Sequence, residues 1–441
     1  MFAISSFRFK YQWAGLHEGL IRKIKPPFFV LSFCVLFLGC SSDAQREGEW
    51  HCFHGLDRTN KSSETGLLKK WPQNGPALKW TASGLGEGYS SVSIADGYIY
   101  TSRTKSGETF VYCLDSEGNE VWEKSNGKAW STTMSHARTY TGARSTPTFD
   151  KGTIYHLGET GRLAAFHAKT GEELWFSDLA ERFNVPELEY GYSESVMIDE
   201  DHLYVRPAGE SGFQVCLNKN DGELIWASTE IPGVEGYSSP VLMEFGGYKQ
   251  LINASSDCYY GVDTQTGKLL WKVDYKNRNG LNVPDAIVHN DFVFISSGYG
   301  KGSMLVKLTL QGEEIVPETV WQTELMDNHH GGVILHEGYL YGSGSNARGW
   351  FCLDFMTGKQ MWKSEGHGKG SVTFAEGLLY TLDERGVMKL VKATPGSYET
   401  TGEFQVPEGG RGMYWAHPVV CGKTLYARHA DKLFAYDVSD R

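Results

Sequence analysis

Five segments of this chain share the spacing Gly-x-x-x-Trp: Gly118 to Trp122, Gly171 to Trp175, Gly222 to Trp226, Gly267 to Trp271 and Gly358 to Trp362. A period of this kind limits the chain to repeat architectures, in which each unit buries its apolar face only against its neighbours. Each Gly is preceded by a β-rich run such as Val111-Tyr112-Cys113-Leu114-Asp115 or Phe351-Cys352-Leu353-Asp354. Before that comes a turn and a Tyr-containing strand, as in Asp96-Gly97-Tyr98-Ile99-Tyr100. One unit therefore reads strand, turn, strand, loop, strand, Gly turn, strand. The last-strand aromatic recurs at Trp80, Trp122, Trp175, Trp226, Trp271, Trp321, Trp362 and, in a degenerate copy, Phe404, at roughly the 40 to 50 residues of a four-stranded propeller blade.

The turn between first and second strands also occurs eight times, around Gly97, Gly152, Asp201, Gly247, Asn290, Gly338, Gly377 and Gly422. The two series are offset, because Trp80 precedes the first turn and the last copy ends at Asp437 without a Trp strand. The predicted fold is all-β, a single eight-bladed β-propeller of four-stranded blades over residues 76–438. Its ring is closed by pairing the N-terminal strand Ala77-Leu78-Lys79-Trp80 with the last blade, which removes the open edge.

The unit Asp-Gly-x-(Ile/Leu)-Tyr followed by Leu-Asp-x-x-Thr-Gly-x-x-x-Trp resembles the PQQ-like repeat. That repeat is named from quinoprotein alcohol dehydrogenases and shared with the BamB lipoprotein of the outer-membrane β-barrel assembly machine. A WD40 repeat is set aside, because the residues after the Trp are Thr81, Glu123, Phe176, Ala227, Lys272, Gln322 and Lys363 rather than Asp. Gly191-Tyr192-Ser193-Glu194-Ser195, Gly236-Tyr237-Ser238-Ser239-Pro240, Asn328-His329-His330-Gly331-Gly332 and Trp415-Ala416-His417-Pro418-Val419 are similar to motifs of bacterial PQQ-binding-like propeller proteins.

The first forty residues form a separate segment. Arg22-Lys23-Ile24-Lys25 and the uncharged apolar stretch Pro26–Gly39 read as a secretory signal, too short for a membrane span. The stretch ends Leu36-Phe37-Leu38-Gly39-Cys40-Ser41-Ser42, which resembles a bacterial lipobox with Cys40 as the acylated residue, although Phe37 replaces the usual Leu. Residues 1–19 exceed an ordinary leading region, and a start site set too far upstream accounts for them. Residues 41–75 are read as a tether and N-terminal segment. These features predict an exported lipoprotein of the bacterial cell envelope, facing the periplasm and held at the membrane by its lipid alone.

Five of the 42 basic residues and one of the 53 acidic residues fall in those first forty positions, so the remainder is about fifteen units negative. Nucleic-acid binding, which needs gathered cations to neutralise phosphates, is excluded. Six cysteines follow Cys40, and three of them, Cys113, Cys216 and Cys352, hold the same third-strand position in blades one, three and six. Blades so far apart cannot bring these residues within bonding reach, so free buried thiols are expected.

In a propeller the first strand of each blade lines the channel, and the fourth-to-first connections emerge on one face. Here those connections are long and varied, so a site is expected at that channel mouth. The residues arriving there are Tyr89, Arg144, Tyr192, Glu194, Tyr237, Asn328, His329, His330, Lys369, Arg411, Trp415 and His417. They suit a small polar or anionic ligand, a saccharide or a segment of a protein partner; for each, the alternative is that it ties one blade to the next. His329-His330 invites a metal reading, with His136 or His417 completing it. Adjacent residues in an extended strand point to opposite faces, however, so the pair would chelate only from a loop, and no metal is expected.

No Gly-x-Ser-x-Gly elbow, His-Glu-x-x-His helix or phosphate loop is present. The expected function is a non-catalytic envelope binding or scaffolding propeller without a cofactor. The alternatives are a PQQ- and Ca²⁺-dependent alcohol dehydrogenase and a carbohydrate-binding propeller. The resemblance implies for the dehydrogenase a disulfide of adjacent cysteines over the quinone and a Glu, an Asn and Asp residues at the ion and as base. The chain has no adjacent cysteines; Glu194, Asn328 and Trp415 are the fragments it offers.

Overall fold

The structure, a computed structural model, describes residues 48–138 and 140–440. The expected signal segment, Cys40 and residues 41–47 lie outside the described residues. Among those described, no helix is long and apolar enough to cross a membrane.

Eight four-stranded blades form the propeller, and the sheet of blade seven is widened to five strands by Lys61–Ser62. Blade one runs Ser93–Ala95, Tyr98–Lys105, Glu108–Asp115 and Glu120–Lys128, each strand antiparallel to the last. Blades two to seven begin at Thr148, Met197, Val241, Ile287, Val333 and Gly370. First strands of successive blades touch, which makes them the channel lining. Ring closure is as the offset repeat predicts: Ala77–Ala82 pairs antiparallel with Lys432–Asp437 and completes blade eight.

The Gly and Trp of the repeat are two halves of one contact between blades. Gly171 sits under the Trp122 indole of the preceding blade, whose Nε1 donates to Ala168 O at 2.9 Å. Trp80, Trp175, Trp226 and Trp321 repeat the arrangement over Gly118, Gly222, Gly267 and Gly358. A second ladder runs round the inner rim, two residues before each first strand. Ser91 N–H donates to Thr146 Oγ1, Thr146 N–H to Ser195 Oγ, Ser195 N–H to Ser239 Oγ, and Ser239 N–H to Asp285 Oδ1, over 2.7–3.0 Å. Cys52, Cys113, Cys216, Cys258, Cys352 and Cys421 are buried and free.

Residues 50–62 fill the channel. Trp50 exchanges two 2.7 Å backbone hydrogen bonds with Ile94 of blade one, and His51 O accepts from Phe149 of blade two. A tight turn, with His54, Arg58 and Asn60 all at positive φ, reverses the chain. Lys61–Ser62 then leaves as a parallel partner of Phe374 and Ala375 in blade seven. Ile94, Phe149 and Ala375 all lie next to the first-to-second strand turns, so this plug enters and leaves by the turn face and its tip points toward the mouth. Arg58, at the tip, is 5% exposed and donates to Ser195 O (3.1 Å) and Val196 O (2.5 Å) of blade three.

Candidate functional site

Above the plug tip lies a cavity of about 510 Å³, open at the mouth. Phe53 and His54 of the plug make its floor, their rings stacked at 3.8 Å. Tyr89, Arg144, Tyr237, His329, His330, Lys369, Trp415 and His417 all line it, so eight of the twelve sequence-chosen residues come together.

The other four do not. Tyr192 is 2% exposed and turns between blades, its hydroxyl donating to Pro207 O at 2.8 Å. Glu194 is fully buried, 3.3 Å from Arg206 Nη2 and accepting from Arg206 N–H. Alternation along an extended approach explains both: Ser193 and Ser195 face the cavity, and their neighbours point into the blade interface. Asn328 is spent on its own loop, donating to Gly332 O and Ser343 O and accepting from Gly332 N–H. Arg411 is exposed outside the cavity lining.

Trp415 organises the aromatic wall. Its ring stacks with Tyr140 (5.4 Å, 13°) and lies 5.1 Å from Tyr89 and 5.2 Å from His330. Tyr190 continues the wall, 6.0 Å from Tyr237. Arg144 acts through this wall rather than as a free cation. Its guanidinium donates to the carbonyls of Tyr190 and Tyr140 and packs on Trp130 at 5.1 Å.

At the floor, His54 Nδ1 stands 3.0 Å from Asp285 Oδ2, His54 Nε2 is 2.9 Å from His417 Nδ1, and His417 Nε2 is 2.8 Å from His330 O. Only an N–H satisfies the His330 carbonyl, so the His417 hydrogen is on Nε2 and its Nδ1 accepts from His54. Burial, with His54 beside it, pushes the His417 ring down to about 3 and keeps it neutral. Burial likewise lowers His329 to about 3, with Lys369 adding to the effect, and lowers His330 well below the ordinary imidazole range.

His329 and His330 lie in an irregular loop, so the opposite-face argument does not apply to them: their Nδ1 atoms converge to 3.2 Å. His136 bonds Glu189 at the rim (2.7 Å) and does not join them, and the ring of His417 is committed to His54 and the His330 carbonyl.

Sequence reasoning passed over His54, Asp285, Tyr299 and Glu384, all cavity-lining. Tyr299 and Glu384 sit on second-to-third strand connections, which return to the same face as the fourth-to-first loops. Asp285 occupies the ladder position that carries a hydroxyl in blades one to four. His54 precedes the repeat and has no pattern to announce it.

The propeller has relatives that share its family. The model for the outer membrane protein assembly factor BamB family matches residues 107–364. BamB of Yersinia pestis is 22% identical over 285 residues, covering 63% of this chain and 68% of that protein. BamB of Shewanella oneidensis is 26% identical over 171 residues, covering 37% and 42%. Among solved structures, BamB from Moraxella catarrhalis superposes with a TM-score of 0.59 at 14% identity, over 82% of this chain and 99% of that one. The quinohemoprotein alcohol dehydrogenase of Comamonas testosteroni gives 0.62 at 12% identity, over 91% and 82%. These two likenesses are of fold alone. The family match spans more than half of the sequence, and this PQQ-like propeller belongs to the BamB family of outer membrane protein assembly factors.

Proposed function

We propose that the chain is a non-catalytic propeller of the cell envelope, tethered through an acylated Cys40, whose mouth cavity receives a segment of a protein partner. The observation that carries this reading is the cavity itself: a concave, aromatic-walled pocket on the loop face, closed from below by the plug. Such a pocket seats an extended or aromatic segment by stacking on Trp415 and Tyr140, with Lys369 and Glu384 fixing its polar groups. The hydroxyls at its floor support the non-catalytic role, since Ser195 and Ser239 accept backbone N–H groups from the preceding blade instead of facing a base. The family's assembly function points to a protein as the occupant.

The dehydrogenase alternative finds no fitting donor set. Glu194 and Asn328 are engaged away from the cavity, and Phe53 and His54 fill the channel beneath it. A photo-crosslinker placed at Met413 on the mouth and at Gly97 on the turn face of the full chain, in intact cells, tests the reading. Adducts from Met413 alone, without Ca²⁺-dependent PQQ binding by calorimetry, support it. PQQ binding with dye-linked alcohol oxidation overturns it.

A further inference from the structure

We propose that His329, His330 and Glu384 form a binding site for a divalent metal ion of the zinc class at the channel mouth, with Lys369 as the resident cation that an entering ion displaces. One nitrogen or oxygen from each of the three side chains lies within 4.8 Å of the others. The His329 Nδ1 to His330 Nδ1 separation of 3.2 Å matches the distance of about 3.3 Å between two nitrogens on one tetrahedral zinc with bonds of about 2.0 Å.

The loop is built to aim both rings inward. Asn328 closes it through its three hydrogen bonds to Gly332 and Ser343. His329 Nε2 is 2.8 Å from the Tyr299 hydroxyl, and Trp415 Nε1 donates to Glu384 Oε1 at 2.7 Å. Partners behind the ligands fix ring orientation and tautomer in this way. Lys369 Nζ lies 3.2 Å from His329 Nδ1 and 3.4 Å from Glu384 Oε1. An ammonium only donates, so His329 presents a lone pair at Nδ1 and carries its hydrogen on Nε2, the tautomer a metal needs. The same lone pair accepts from His330 Nδ1–H, so it and the Glu384 carboxylate already hold one positive charge. An entering ion replaces both the ammonium and the His330 Nδ1 hydrogen, which moves to the buried Nε2, an atom without a partner among the described residues. Lys369 is a quarter exposed and has room to swing into the cavity. Two imidazoles select zinc, cobalt, nickel or copper over calcium and magnesium, which prefer all-oxygen sites. All three side chains line the open cavity.

This site shares Lys369 and Glu384 with the partner reading but does not rest on it: failure to bind metal leaves the Met413 crosslinking result untouched. The test uses the full chain stripped with chelator, titrated with Zn²⁺ by calorimetry and with Co²⁺ by visible absorption. Expected is one equivalent bound with the intense visible bands of tetrahedral Co²⁺. His329→Asn and His330→Asn weaken binding by about 100-fold or more, Glu384→Gln by about tenfold, and His136→Asn leaves it unchanged. Lys369→Met tightens it by about tenfold or more, a gain that misfolding cannot mimic. No saturable Zn²⁺ uptake by about 100 μM, or uptake indifferent to His329→Asn and His330→Asn, overturns the site. Unchanged or weaker binding by Lys369→Met overturns the role of the lysine.

Discussion

The indole of Trp226 lies flat against the α-carbon of Gly267 in the next blade, so close that a Cβ at 267 would stand 2.4 Å from Trp226 Cε3. Gly267 has φ +73°, which already favours glycine, but Gly97 at φ +81° has open space where its Cβ would be. The pair separates packing from backbone strain. Gly97→Ala is expected to cost about 1 kcal/mol, the ordinary charge for a side chain at positive φ. Gly267→Ala adds the displacement of a blade-locking indole and is expected to cost about 2–4 kcal/mol. Urea denaturation of the two variants measures the difference; equal losses would mean that the Trp lock yields freely.

Glu235 is 2% exposed, neither carboxyl oxygen has a hydrogen-bond partner among the described residues, and burial raises its pKa to about 8 against the pull of Arg206. The folded protein therefore keeps a proton that the unfolded chain releases above the ordinary 4.5. Its contribution to stability is full below 4.5 and declines as pH rises through 8. Glu235→Gln, which is always neutral, is expected to melt above the parent at about pH 9 and level with it at about pH 4. Thermal melts at the two pH values check the sign.

His156 tilts stability the other way. Its ring is 1% exposed, its Nδ1 accepts from the Asn126 amide at 2.8 Å, and burial lowers its pKa from 6.5 to about 3. The folded ring stays neutral while the unfolded chain takes up a proton below 6.5, so stability is lost as pH falls from 6.5 toward 3. The limiting slope is about 1.4 kcal/mol per pH unit for one such group. His156→Asn is expected to be less stable near neutrality, from lost packing, and to show a shallower decline in denaturation series run across that range.

The fold was legible because a blade cannot bury its faces alone. Gly and Trp therefore recur wherever one sheet packs on the next, and the offset of the two series announced the shared blade. The site was legible only in part. Tyr192 and Glu194 arrive at the mouth in sequence but alternate into the blade interface, beside residues that do face the cavity. Asp285 and His417 carried a usable signal: both stand two residues before a first strand, where blades one to four place Ser91, Thr146, Ser195 and Ser239 for the rim ladder. Departure from the repeat at a structural position marks them, and both meet His54. The plug itself lies before the first repeat, where no periodicity ties Phe53 or Arg58 to the channel.

Arg58 holds that plug in place, and its removal tests whether the plug opens apart from the ring. Of the two carbonyls it satisfies, both in blade three, Ser195 O loses its guanidinium donor in Arg58→Ala, whereas Val196 O keeps the Thr148 hydroxyl at 2.9 Å. A buried donor removed in this way is expected to cost about 2–4 kcal/mol. Ring closure runs through Ala77–Ala82, beyond the plug in sequence and on the outer edge of blade eight, so it does not depend on Arg58. The loss is therefore expected to appear first as local opening of residues 50–62, with faster amide exchange and proteolysis there while the blades stay protected. If exchange instead rises evenly round all eight blades, the plug and the ring are one cooperative unit, and the cavity floor is as stable as the propeller that surrounds it.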